Sequence, residues 1–308
     1  MPHASTGRLR VLVALLAVLS VLGCSTPDEN APGTAAGPVL ETFEGLAPDP
    51  VAAALLPARV REAGALHVVM NVSSAPTKFY AEDNTTIVGL NPDLARAIGR
   101  VLDIPVVLHD VPLDGIIPGL QARRYDLTIS SMSPTAKRLE ALDMVRYGSW
   151  GSSVAVKARN PLGLAPDRLC GSKVAVQQGS IQESQRLPEL DAATCRGEDP
   201  IEPVVLPSQN DALLQLDSGR VDAVFADSPV LAYARTQAPD SFEVIGELNR
   251  SPITIGLPKG SDLTPAVQAA LRALMAGGSY QHIFFRWGMT ANAVPEPVLE
   301  VPESQEHR

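Results

Sequence analysis

The stretch from Tyr125 to Arg138, YDLTISSMSPTAKR, concentrates groups that can hold an anion. It reads as a buried strand running into a helix start. Hydroxyls stand at Ser131, Ser133 and Thr135, and a fixed positive charge follows at Arg138. A strand end with hydroxyls, backbone N–H groups and an arginine suits a carboxylate, because a guanidinium is a planar fork that pairs with both oxygens. A plain surface arginine is the alternative. Gly179, Ser180 and Ile181 follow the strand KVAVQQ and open a helix. Their N–H groups can face an anion, or Ser180 can simply cap the helix; Ser133 carries the same ambiguity. Asp227 closes the strand VDAVFAD, where a free carboxylate would meet a cation or cap the next helix. Asp222, inside that strand, reads as structural.

The elements that must position these groups alternate. Residues 66–72, 106–111 and 125–130 read as strands, with helices over 91–102 and 113–122 between them. Asn91 is the expected N-cap of the first helix, with Pro92 at its first position and Leu94, Ile98, Val101 and Leu102 on one face. The rhythm repeats over residues 173–245. Strands at 154–157 and 253–257 bracket this second half. Tyr280, Ile283, Phe284 and Trp287 share one face of a closing helix. Such alternation implies an α/β fold with largely parallel sheets, in two lobes joined by two crossover strands. Ligands in open α/β sheets bind at the carboxyl ends of strands, so the expected site is the cleft between the lobes.

The ends read differently. Arg8 and Arg10 precede an apolar run from Val11 to Leu22 that is too short to span a bilayer and has the length of a signal-peptide core. The run ends in Val21-Leu22-Gly23-Cys24, which resembles a bacterial lipobox. Cys24 would then be lipidated and become the mature N-terminus; a buried cysteine in an uncleaved anchor is the alternative. Residues 24–60, rich in Ala, Pro, Gly and acids, read as a flexible tether, and the Pro- and Glu-rich residues 291–308 as a disordered tail. The net charge is −9 and no basic stripe is present, which argues against a nucleic-acid partner. The remaining cysteines, Cys170 and Cys195, are expected to pair in an exported protein, closing a loop of about 25 residues; two separate thiols are the alternative. The five histidines show no ligand spacing, so no metal and no cofactor is expected.

Five segments together resemble the family 3 extracellular solute-binding proteins, the receptors of polar amino-acid ABC transporters. They are GLNPDLARAIGRVL at 89–102, PLDGIIPGLQARRYDLTISSMSPTAKR at 112–138, KVAVQQGSIQE at 173–183, DALLQLDSGRVDAVFADSPVLAY at 211–233 and YQHIFFRWG at 280–288. The resemblance implies a two-lobed type II periplasmic-binding-protein fold. It divides the chain into lobe 1 (61–156 and 252–290) and lobe 2 (157–251). It also implies that Arg138 grips the α-carboxylate of an amino acid, that Ser131 and Ser133 flank its main chain, that the Gly179-Ser180-Ile181 turn adds donors, and that Asp227 takes the α-ammonium. The implied partners are an ABC permease and the lipid-anchored cell membrane, and the implied state is a monomer outside the cytoplasm.

This sequence departs from the family at positions around the ligand side chain. An acid is common where Asn71 stands, an aromatic where Ser74 stands, a tryptophan near Pro112 and Leu113, and a hydroxyl at Ile181. A buried cationic side chain needs a paired carboxylate, so a neutral or acidic amino acid is expected over lysine or arginine. Tyr80, Tyr147 and Trp150 read as packing residues. Two other readings stay open. A cyclohexadienyl-dehydratase-like enzyme on the same body needs a general acid, and no spare Glu, His or Lys is evident beside the grip. A sensing lipoprotein would bind a ligand without a permease.

Overall fold

The computed structural model describes Phe43 and residues 45–302. The signal segment, Cys24 and residues 303–308 lie outside the described residues. Among the described residues no helix is long and apolar enough to cross a membrane.

The first half of the chain builds β1 (Leu66–Met70), β2 (Phe79–Tyr80), β3 (Ile87–Val88), β4 (Val106–Asp110) and β5 (Leu127–Met132). Its helices are α1 (Pro50–Ala54), α2 (Ala58–Ala63), α3 (Leu90–Val101), α4 (Ile116–Gln121) and α5 (Ala136–Ala141). The long β6 (Leu142–Lys157) then leads to β7 (Lys173–Gln177), α6 (Leu187–Thr194), β8 (Glu202–Leu206), α7 (Gln209–Asp217), β9 (Ala223–Asp227) and α8 (Ser228–Gln237). An equally long β10 (Phe242–Pro258) returns to α9 (Thr264–Ala276), α10 (Ser279–Arg286) and β11 (Leu299–Glu300).

One sheet runs in the order β4-β1-β5-β10-β6-β9-β7-β8. β4, β1 and β5 are parallel, as are β8, β7 and β9, and the antiparallel pair β6–β10 joins the two groups. The two-lobed α/β architecture is therefore as the sequence implies. The crossing itself sits earlier than the 156/157 boundary. Val154, Ala155 and Val156 already pack among β7 and β9 residues, whereas Tyr147 and Trp150 lie in the first lobe's core. The β6–β10 register slips between Leu248 and Ser251, opposite residues 150–152. That slip breaks the ladder where the strands leave one lobe for the other.

The tether and the tail also need correction. Phe43, Ala52, Leu56 and Val60 are buried in the core of the first lobe, so the chain from residue 43 belongs to the folded body. Asp49 caps α1 by accepting from the N–H groups of Val51 and Ala52, each at 2.9 Å. Ala52 comes from α1, Leu56 from the turn that follows it and Val60 from α2. At the other end, β11 pairs with β6 through Leu299–Val145 and Glu300–Met144, and Glu300 meets Arg146 as an ion pair. This short strand covers an edge of β6 that would otherwise expose unpaired backbone.

Helix α3 buries Leu94, Ile98, Val101 and Leu102, as their spacing predicts. It starts one residue before the expected cap. Gly89 is its N-cap, at φ +130, and a Cβ there would stand 2.6 Å from the Thr77 carbonyl oxygen. Asn91 is thereby placed inside the first turn, fully buried, and its side chain is freed for the site described below. Tyr280, Ile283 and Phe284 of α10 are buried on the first lobe, and Tyr280 Oη donates to the Tyr147 carbonyl at 2.9 Å. Tyr147 and Trp150 are core residues, and Tyr80 is a surface residue whose Oη donates to Asp110.

Cys170 and Cys195 are bridged, with Cα atoms 5.4 Å apart. The bridge ties the approach to β7 to the end of α6, wholly within the second lobe.

Candidate functional site

The carboxyl ends of β1, β5, β7 and β9 converge between the lobes. There they enclose a cavity of about 40 Å³ lined by Asn71, Ser74, Leu113, Ser131, Arg138, Ser180, Ile181 and Asp227 among others. The lobes are in contact across this cavity. Gln177 Nε2 donates to Asn71 Oδ1 at 2.7 Å and Gln178 Nε2 to Asp114 Oδ2 at 2.8 Å, each across the cleft.

The first-lobe floor is built by β5. Its Ser130 Oγ accepts from the Asn71 N–H at 3.0 Å. Ser131 has φ +59, a left-handed conformation unusual for a serine. It is held there by a chain of bonds: Asn91 Nδ2 donates to Ser131 Oγ at 3.0 Å, and Tyr147 Oη donates to Asn91 Oδ1 at 2.8 Å. Ser131 lines the cavity at this kink. Local strain of this kind persists only where surroundings fix it, and it collects at binding sites.

Thr135 caps α5 and so starts the turn that carries Arg138. The Arg138 guanidinium is buried and donates from Nη1 to the Ser133 carbonyl and from Nη2 to the Gly179 carbonyl, both at 3.0 Å. The second bond joins the lobes. Burial lowers its pKa to about 10 against the opposing pull of Asp227, so it stays charged at neutral pH. A guanidinium has five N–H donors, and these two bonds leave others for a carboxylate.

From the second lobe, Asp227 ends β9 without capping α8. Its Oδ1 accepts from Gln182 Nε2 at 2.8 Å. Burial pushes the Asp227 carboxyl up. The charge of Lys78, the Trp150 and Gln182 N–H dipoles and the charge of Arg138 pull it back, in that order. Trp150 Nε1 is buried with no partner at bonding geometry, so it acts on the carboxylate at longer range.

Two of the expected residues do not line the cavity. Ser133 Oγ pairs with Ser251 Oγ at 3.1 Å, and Ser133 serves Arg138 through its carbonyl. Gly179 faces Arg138 with its carbonyl, while its N–H donates to Glu183 Oε2 at 2.6 Å. Ser180 lines the cavity but also caps, its Oγ accepting from the Glu183 N–H at 3.1 Å. The Gly179 N–H is thus used within the turn, and Ser180 and Glu183 cap each other's stretch of chain. Gly179 has φ +76, and a Cβ there would lie 3.0 Å from the Asp114 N across the cleft. Only a glycine allows this approach. After the turn the chain makes one wide helical turn over Gln182–Arg186, a π-helix, before α6. This widening brings Gln182 Nε2 within 2.8 Å of both Ser152 Oγ and Asp227.

Sequence reasoning missed Lys78, Gln177, Gln182 and Gln209, all of which line the cavity. Lys78 matters most, because the sequence reading found no lysine beside the grip. It lies just before β2, is 4% exposed, and carries a pKa lowered to about 8 by burial, with Asp227 opposing. The signal available was an odd one: a lysine between Thr77 and Phe79 in a segment otherwise short of charge until Glu82. Among the described residues no group of three or more His, Cys, Asp or Glu is placed to hold a metal.

Comparison with known proteins agrees with this geometry. The model for bacterial extracellular solute-binding proteins, family 3, matches residues 66–290. The arginine-binding protein ArgT of Corynebacterium glutamicum is 30% identical over 261 residues, covering 83% of this chain and 86% of its own. An ancestral arginine-binding protein bound to arginine superposes with a TM-score of 0.68 at 30% identity, over 73% of this chain and 98% of its own. A structure of an ancestral arginine-binding protein bound to glutamine gives 0.67 at the same identity and coverage.

Proposed function

The chain belongs to the bacterial extracellular solute-binding proteins of family 3, and from that premise we propose that it captures an amino acid between Arg138 and Asp227 and delivers it to an ABC permease. The observation that carries this reading is the pair of opposite charges on opposite lobes facing one cavity. Arg138 takes the α-carboxylate and Asp227 the α-ammonium, with Ser131 and Gln182 holding the main chain between them. Closure then joins the lobes through Arg138 and the Gly179 carbonyl, so ligand and closure share one residue. The test is mass spectrometry of ligand released from denatured purified protein, followed by calorimetry against the common amino acids. Release of a ligand that is not an amino acid, with no amino acid binding, refutes the reading.

The preference is for a neutral or acidic amino acid over a cationic one. Relatives are named for arginine, but Asp227 is the one carboxylate lining this cavity, Asn71 stands in place of an acid, and Lys78 adds a positive charge. The protein works as a monomer outside the cytoplasm, held to the membrane by a lipid on Cys24. Metabolic labelling with a fatty-acid analogue, lost in Cys24→Ala, tests the anchor. One observation favours an enzymatic second reading of the dehydratase type: Lys78 is a buried titratable group inside the cleft. Incubation with a cyclohexadienyl substrate and absence of product decides against it.

A further inference from the structure

We propose that Lys78 and Gln209 form a second anion-holding position in the cavity, which takes the side-chain carboxylate of an acidic amino acid. The proposal rests on the amino-acid reading of Arg138 and Asp227 and adds the class of side chain.

Lys78 comes from the first lobe and Gln209 from the start of α7 in the second, and both line the one cavity. Both are nearly fully buried, at 4% and 5% exposure. Among the described residues the Lys78 ammonium has a single hydrogen bond, to Thr77 Oγ1 at 3.3 Å, and no ion pair. Gln209 Nε2 is buried with no acceptor at all. The neighbouring amide donor, Gln177 Nε2, is already used on Asn71 Oδ1. Buried donors without acceptors are costly and are kept where a ligand supplies the acceptor. A charged donor with one long bond from the first lobe and an unpartnered amide donor from the second can each bond an oxygen of a carboxylate lodged between them.

Charge balance points the same way. The charged groups lining the cavity are Arg138, Lys78 and Asp227, one positive charge in excess. A neutral zwitterion leaves that excess in a closed site, and a cationic amino acid doubles it. An acidic amino acid cancels it, which is the arrangement a desolvated site favours. Lys78 holds its proton more firmly once a carboxylate is beside it, so binding takes up a proton where free Lys78 is partly neutral, at and above pH of about 8.

The test is calorimetry on ligand-stripped protein with L-glutamate, L-aspartate, L-glutamine and L-arginine, for wild type, Lys78→Met, Gln209→Leu and Lys78→Glu. Thermal melts check that each variant is folded. An acidic ligand is expected to bind wild type tightest. Lys78→Met should weaken glutamate at least about tenfold more than glutamine, as expected for a charge-assisted contact. Gln209→Leu should do the same to a smaller degree, and Lys78→Glu should shift the preference toward arginine. The proposal is overturned if glutamine or arginine binds wild type tightest. It is also overturned if Lys78→Met tightens every amino acid alike, which marks Lys78 as a plug against Asp227. If wild type binds no amino acid, the underlying amino-acid reading falls as well, whereas binding of other amino acids without the acids sinks the subsite alone.

Discussion

Replacing Arg138 tests the site most directly, because the residue has two separable jobs. Its Nη1 and Nη2 bond the Ser133 and Gly179 carbonyls, and the residue also lines the cavity. Arg138→Ala removes a charge-assisted contact of about 1.5–3 kcal/mol with the ligand carboxylate, and more if that carboxylate is left unpaired in a closed cleft. Loss of the bond to Gly179 adds a closure term of about 1 kcal/mol. Together these amount to about 2.5–4 kcal/mol, or roughly 70-fold to 900-fold in Kd. Arg138→Lys keeps the charge and loses the fork, and should fall between wild type and alanine. Asp227→Asn separates the other end of the ligand. In wild type, an analogue lacking its α-ammonium should bind at least about tenfold more weakly; in Asp227→Asn that difference should vanish, because the partner is gone. Isothermal calorimetry with the released ligand reads each number. Arg138→Ala also leaves the Ser133 and Gly179 carbonyls without that donor, so thermal melts establish that each variant is folded before affinities are compared. Wild-type affinity in both Arg138→Ala and Asp227→Asn, with the fold intact, would show that this cleft does not grip an amino acid by its two ends.

Three further outcomes are expected. In unreduced protein Cys170 and Cys195 should resist alkylation, and their removal should cost roughly 3–4 kcal/mol on the chain-entropy model; two alkylated thiols by intact mass refute the bridge. Binding should close the lobes about the β6–β10 crossing near residues 150–152 and 248–251, so the radius of gyration by small-angle scattering should shrink with ligand, and an unchanged value at saturation counts against a hinge there. Burial lowers Lys78 to about 8 from 10.5 in the folded protein, with the charge of Asp227 opposing. The unfolded chain thus binds more protons between those values, and this group's contribution to stability rises as pH climbs from about 8 to about 10.5, by up to roughly 3 kcal/mol. Denaturant melts of wild type minus Lys78→Met should show that rise, and a flat difference across this range rules it out.

The fold was legible because its signals are periodic. Strands ending at Asp110, Met132, Gln177 and Asp227 alternate with one-faced helices, and short runs bounded by turns leave few other arrangements. Arg138 and Asp227 could be singled out because arginine and aspartate at strand and helix ends stand out against apolar neighbours, and both line the cavity. What escaped reading was long-range. Whether Lys78 points into solvent or into the cleft depends on the turn that Gly89 closes over Thr77, and no local pattern encodes that contact. Gln182 reaches Asp227 through a widened helical turn that has the same composition as an ordinary one. The tether is a reading of composition, and in the structure the burial of Phe43, Ala52, Leu56 and Val60 outweighs it.

The path of the chain through the crossing bears on how it is made. It enters the second lobe once, near residue 151, and leaves once, near residue 249, so that lobe is one unbroken stretch with both bridged cysteines inside it. The first lobe is interrupted. Its central strand is the returning half of β10, where Thr254 pairs with Met132 and Gly256 with Thr128, and Leu271 and Phe284 come later still. A chain emerging N-terminus first can therefore finish its second lobe while the first still lacks two strands and two helices. We expect protease-resistant fragments of the second lobe to appear before the first in a series of arrested chain lengths, and simultaneous protection of both lobes would contradict this order.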